Sequence, residues 1–169
     1  RLLSSAISVY GEPELLSLSN ETKVSEKQKP INNKNYYLIT NSNQIDEWIK
    51  EAEEIGEVAV DTETSSLDPH QADLIGISLS SKIGKACYIP IGHDSKKCIN
   101  KDIVLKKLKP LLEDSSIKKI GQNIKFDFIV LFKNGINITS MEDTMLMSYV
   151  LDAGKNRHNM DTLSEIHLN

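Results

Sequence analysis

The chain has 169 residues, enough for one self-contained core without disulfide or metal support. Hydrophobic residues make up 39% and charged residues 26%, an ordinary balance for a globular domain, and no run of 18 apolar residues is present to cross a membrane as a helix. A formal net charge of −4 excludes a protein that holds nucleic acid by bulk positive charge, while leaving room for a local site. The basic residues are all Lys except Arg1 and Arg157. Cys87 and Cys98 lack the spacing of a zinc site or a disulfide framework and point to a reducing cytosol. The opening Arg1-Leu2-Leu3-Ser4-Ser5 is too short and too soon polar for a signal peptide, and a chain that starts on Arg reads as a piece of something longer.

In chain order, residues 1–34 carry no sustained apolar period, alternate Ser with charge and end on Lys27-Gln28-Lys29-Pro30, the composition of a linker with at most one short helix near Leu15 to Leu18. Tyr36 to Ile39 is a short strand. Asn43 or Ser42 caps a helix whose apolar members Ile45, Trp48, Ile49 and Ala52 recur at helical spacing and which stops near Gly56. Glu57 to Asp61 is a β-branched strand. Leu74 to Leu79 and Ala86 to Ile91 are two more, close enough for an antiparallel meander with turns near Pro69 and Gly84. A helix follows with Ile103, Leu105, Leu108, Leu111 and Leu112 on one side and Lys106, Lys107 and Lys109 outside. Then come a strand at Ile117 to Ile120 and helices at Ile124 to Lys133, Thr144 to Leu151 and Met160 to Leu168. Strands first, then alternating helices and strands, predict an α/β fold with a mixed sheet.

Several acidic residues stand out against this frame. Asp61 and Glu63 are two apart at a strand end and project from one face, where two like charges repel and hard oxygens suit a divalent cation; a solvated strand edge is the plainer alternative. In Gly121-Gln122-Asn123-Ile124-Lys125-Phe126-Asp127 a strand runs through Gly into a helix. There Asn123 and Asp127, four apart, are expected on one helical face, with Asn123 as a plain N-cap and Asp127 as a charge near a helix start as the structural alternatives. Asp143 suits an N-cap. His158 has no His or Cys partner at metal spacing. The absence of Gly-x-Ser-x-Gly, Walker and GxGxxG patterns counts against triad hydrolases, P-loop NTPases and dinucleotide enzymes.

Taken together, the stretches from Asn35 to Asn169 resemble the 3′–5′ proofreading exonuclease domain of bacterial DNA polymerase I. Val58-Ala59-Val60-Asp61-Thr62-Glu63-Thr64-Ser65-Ser66-Leu67-Asp68 is similar to the family's first motif, and Gly121 to Asp127 to its second. Tyr88-Ile89-Pro90-Ile91-Gly92-His93, Asp143 to Leu151 and Arg157 to Leu163 match further stretches in order. The resemblance implies a ribonuclease H-like fold, a mixed sheet flanked by helices, with residues 1–34 a junction and 35–169 the exonuclease domain. It implies hydrolysis of the 3′-terminal phosphodiester of DNA with two divalent cations, Mg2+ or Mn2+: Asp61 and Glu63, with a further Asp, would hold one, and Asp61 and Asp127 would help hold the other.

By position, Thr64, Leu67, Gln122, Asn123, Phe126, Arg157 and Met160 are expected to contact the single strand. Phe126 stands where many relatives have Tyr, which removes a phenolic hydrogen bond and keeps a stacking face. The implied partners are a single-stranded 3′ end of DNA and a polymerase domain of the same parent chain, in the bacterial cytoplasm at the nucleoid and with no membrane. The family's third motif, a Tyr and an Asp four apart, lies downstream of the stretch matched by Met160 to Leu168, as do the domain's last helices. This chain stops before them, and Asp143 matches a separate position. The expectation for residues 1–169 is therefore weak or no nuclease activity. The alternatives are a ribonuclease D-like 3′–5′ exoribonuclease and a non-catalytic nucleic-acid-binding module of the same fold.

Overall fold

The computed structural model describes residues 35–93 and 97–168; the segment 1–34, with its expected linker and short helix, lies outside the described residues. The elements are β1 (Tyr36–Leu38), a short 3-10 turn (Ser42–Gln44), α1 (Ile45–Ile55), β2 (Glu57–Thr64), β3 (Leu74–Lys82), β4 (Lys85–Pro90) and α2 (Lys101–Glu113). They continue with β5 (Lys118–Gly121), α3 (Lys125–Lys133), β6 (Met141–Asp143), α4 (Thr144–Asp152) and α5 (Met160–Leu168). The six strands form one mixed sheet in the order β1-β4-β3-β2-β5-β6. As expected, β2, β3 and β4 are an antiparallel meander, while β5 joins β2, β6 joins β5 and β1 joins β4 in parallel.

The alternation along β2 explains the layering. Val58, Val60 and Thr62 are buried, and Glu57, Ala59, Asp61 and Glu63 are exposed. The buried face continues through Ile77 and Leu79 on β3 and Cys87 and Ile89 on β4. It joins Ile45, Trp48 and Ala52 of α1 and Val104, Leu108, Leu111 and Leu112 of α2 in one apolar cluster. Gly56 ends α1 in the left-handed region at φ 82, donating to the Ala52 carbonyl at 2.8 Å.

Several expectations are corrected. The turn before α1 is capped by Asn41, whose side chain accepts from the Asn43 N–H while Gln44 reaches back to the Asn41 N–H, so neither Ser42 nor Asn43 is the cap. In α2 the inward residue is Val104, while Ile103 is 46% exposed. β2 runs on through Asp61 and Glu63 to Thr64. Lys119, in a strand of otherwise ordinary pattern, is fully buried, and its Nζ donates to the carbonyls of Asp114 (2.5 Å) and Ile117 (2.7 Å). Glu51, also buried, draws Lys82 and Lys85 of the β3–β4 hairpin onto one oxygen at 2.7 and 2.8 Å, and the Lys85 Nζ lies 4.7 Å from the Trp48 ring centroid. This ties α1 to the hairpin.

Candidate active site

The open face of the sheet carries the first two carboxylates. β2 lies inside the sheet between β3 and β5, with Asp61 opposite Ser78 and Glu63 opposite Gly76, and the register slips between Glu63 and Thr64. Around Asp61 the neighbours are small: Ala59, Ser78, Ser80 and Ala86, with Ile120, Gln122, Thr144 and Met160, frame a recess of about 270 Å³.

The third carboxylate comes from α3. Asp127 in its first turn is 3% exposed, and its Oδ1 accepts from the Thr62 N–H at 2.8 Å and the Thr62 hydroxyl at 2.6 Å. Thr62 lies between Asp61 and Glu63 with its side chain on the opposite face, so these bonds fasten α3 to that stretch of β2. Burial pushes Asp127 up to about 6, with the charge of Asp61 adding to the rise and the two Thr62 bonds opposing it. Asp61 is also raised, by burial first and by Glu63 second. The charges that raise these two groups are those of neighbouring carboxylates, Glu63 for Asp61 and Asp61 for Asp127. Among the described residues no three His, Cys, Asp or Glu side chains stand close enough to cage an ion. The donor set still fits hard divalent cations, since carboxylate oxygens that repel one another in a half-buried place gain most from a cation between them.

The connection from β5 to α3 differs from the expected helix start. Asn123 is outside α3 in the left-handed region at φ 57, and α3 begins at Lys125 with no side-chain cap. Asn123 and Asp127 therefore do not share a helical face. The turn is tight because Ile124 folds back on Gly121, where a β-carbon would come within 2.9 Å of the Ile124 side chain. Asp143 holds the turn. As expected it caps α4, accepting from the Met145 and Leu146 N–H groups. It also accepts from the Asn123 N–H (3.0 Å) and the Ile124 N–H (3.1 Å). This second duty has no local signal, because the partners are some 20 residues away and meet only through the β5–β6 pairing of Gly121 with Asp143.

The remaining candidates are spread around this centre. Leu67 is 95% exposed at the tip of a loop closed where the Ser65 N–H donates to the Asp73 carbonyl (3.0 Å) and the Asp73 N–H to the Ser65 hydroxyl (2.9 Å). From the last turn of α3, Lys133 donates to the Pro69 and Ala72 carbonyls of that loop. The Thr64 hydroxyl donates to the Ser66 carbonyl. Phe126 is half-buried against the core. The Gln122 amide is engaged within the chain: its Nε2 donates to the His158 carbonyl at 2.7 Å, and its Oε1 accepts from the Thr144 hydroxyl at 2.5 Å. His158 is buried against Tyr149 and pairs through Nδ1 with the Ser148 hydroxyl, so it anchors the loop bearing exposed Arg157. Met160 reaches the recess beside Asp61; Arg157 faces a separate recess with Met145, Tyr149 and Asn159.

A six-stranded mixed sheet flanked by helices, with two carboxylates on an inner strand and a third on the helix after β5, is a ribonuclease H-like fold. A family model described as 3′-5′ exonuclease matches residues 36–169, and the chain belongs to that family. It is 41% identical to the DNA polymerase I of Rhizobium leguminosarum over 80% of this chain and 15% of that protein. Identity to the DNA polymerase I of Pseudomonas aeruginosa is 40%, over 82% of this chain and 16% of that protein. The chain thus spans only about a sixth of the length of these relatives. Among solved structures, Brucella melitensis NrnC with bound Mg2+ superposes with a TM-score of 0.55 at 29% identity, covering 78% of this chain and 60% of its own.

Proposed function

We propose that this chain is the proofreading unit of a DNA polymerase I-type protein, removing nucleotides from the single-stranded 3′ end of DNA presented by a polymerase domain of the same polypeptide in the cytoplasm. The observation that carries this reading is the fastening of Asp127 to Thr62, the residue between Asp61 and Glu63, together with the mutual repulsion that raises Asp61 beside Glu63 and Asp127 beside Asp61. Asp61 with Glu63, and Asp61 with Asp127, would hold two divalent cations, Mg2+ or Mn2+. Such ions, when bound, supply a deprotonated water and offset the charge on the phosphate and on the leaving 3′ oxygen. The Mg2+ held by NrnC, of related fold, supports the choice of metal.

The protein's own groups do the placing. Thr62 fixes one oxygen of Asp127 and leaves the other for a ligand. Leu67 offers an apolar wedge for the terminal nucleotide, and the half-buried Phe126 a sequence-tolerant stacking face. Arg157, with Thr64, Asn123 and Met160 nearer the centre, would contact the strand. Gln122 serves by holding the His158 loop in register with β5.

The test is incubation with 5′-labelled single-stranded DNA and Mn2+. This chain is expected to give at most a faint ladder of single-nucleotide steps, and a longer polypeptide that includes the family's third motif a strong one. Both should be abolished by Asp61→Ala. Preferential digestion of the matching RNA would favour the ribonuclease D-like alternative. Failure of the longer polypeptide to bind Mg2+ or Mn2+ would favour a non-catalytic nucleic-acid-binding module.

A further inference from the structure

The open face carries a second built feature that the exonuclease reading leaves unused. Tyr88 on β4 points the same way as the carboxylates of β2, because Ser78 is the register partner of both Asp61 and Tyr88, and Gly76 that of both Glu63 and Pro90. The Tyr88 ring lies along the sheet over Gly76, so closely that a β-carbon at position 76 would fall 1.9 Å from the phenol oxygen and 2.3 Å from Cζ. The hydroxyl thus occupies the place of the side chain that would otherwise stand across from Glu63. His93, just beyond β4, hydrogen-bonds the hydroxyl through Nε2 and meets the ring edge-on at 5.7 Å between centroids. The Cys98 thiol donates to the His93 carbonyl at 3.1 Å and steadies that residue. Burial, and then the charge of Glu63, push the phenol up, so it keeps its proton. The phenol thus has Glu63 and the His93 imidazole as neighbours.

We propose that the Tyr88–His93 pair is a phosphate-binding arm of this site, contacting a phosphate oxygen of the terminal nucleotide next to Glu63; the proposal rests on the exonuclease reading. With the proton on Nε2, His93 donates to the phenol oxygen, and the phenol's own proton is free to donate to the ligand. A neutral donor suits this position. A Lys or Arg beside Glu63 and Asp61 would pair with them and compete with a cation for the same oxygens, whereas a phenol adds a hydrogen bond to an anion without adding charge. Gly76 is what lets the arm lie within reach, since any side chain there would lift the ring off the sheet.

The test is a titration of this chain with 5′-dTMP and Mg2+, followed by NMR at the Tyr88 ring, the His93 imidazole and the amides of Asp61 and Glu63. All four are expected to shift together. Tyr88→Phe, which keeps the ring over Gly76 and removes only the donor, is expected to weaken dTMP binding by roughly 10-fold or more, the scale of a hydrogen bond to a charged group. Gly76→Ala should reproduce that loss, and Tyr88→Phe should make a further His93→Ala change nearly silent. Shifts at Asp61 and Glu63 with Tyr88 and His93 unmoved, or a Tyr88→Phe variant that binds dTMP as before, would overturn the arm and leave the exonuclease reading standing. No response anywhere on this face, either in this chain or in the longer polypeptide that includes the third motif, would overturn both.

Discussion

On the side of the sheet turned toward α1 and α2, Val58, Val60, Ile77, Leu79, Cys87 and Ile89 are each 2% exposed or less. The same strands carry Ala59, Asp61, Glu63, Ser78, Ser80 and Tyr88 on the other side, where polar and small residues replace branched apolar ones. One face is spent on burial, and its polar intruders are neutralised: Lys119 by two carbonyls and Glu51 by two lysines. The other face sets like charges beside one another, Glu63 raising Asp61. The contrast teaches that strand alternation here separates stability from chemistry, residue by residue, along a single element.

Substitutions can test this division. The largest effect is expected in the closed face: Leu108→Ala, at a fully buried position, should cost about 2–5 kcal/mol in denaturant unfolding. Asp61→Asn on the open face should cost nothing measurable, or stabilise slightly by removing repulsion from Glu63, while abolishing Mn2+ binding measured by calorimetry. A comparable loss of stability in Asp61→Asn would break the comparison.

Next in size is a pH effect at the junction of the two faces. Asp127 is raised to about 6 from an ordinary value of 3.8, so the folded protein holds its proton where the unfolded chain has lost it. Its contribution therefore favours folding at low pH and is lost as pH rises between about 4 and 6, by on the order of 3 kcal/mol. In metal-free buffer, Asp127→Asn should gain stability relative to the parent chain across that window. Parallel stability curves would refute the assignment.

Asp143→Ala should follow, at roughly 2 kcal/mol. It strips acceptors from the N–H groups of Asn123, Ile124, Met145 and Leu146, and hydrogen exchange should quicken in the turn before α3 as well as in α4. Loss of protection in α4 alone would show an ordinary cap. The smallest effect is Glu51→Gln, about 1 kcal/mol, because Lys82 and Lys85 are still partly in water; it should show as a lower melting temperature that high salt partly hides. Since its lysines hold Glu51 below the usual carboxylate range, this contribution should fade as pH falls into that range.

The amino-acid pattern alone determined the meander, the α1 face of Ile45, Trp48 and Ala52, the cap on α4 and the shared orientation of Asp61 and Glu63, because each depends on neighbours within one or two turns or on the two-residue period of a strand. It also carried the family's motifs in their order, and with them the candidates Asp61, Glu63 and Asp127.

Only the tertiary structure decided how these are placed. Pairing β2 with β5 brings α3 against Thr62, and pairing β5 with β6 lets Asp143 serve two turns at once. A left-handed Asn123 takes it off the helix that its spacing implied. Laying Tyr88 over Gly76 puts its hydroxyl across from Glu63. None of these follows from local spacing, because a cross-strand neighbour is fixed by hydrogen-bond register, and register by which face the whole sheet can bury.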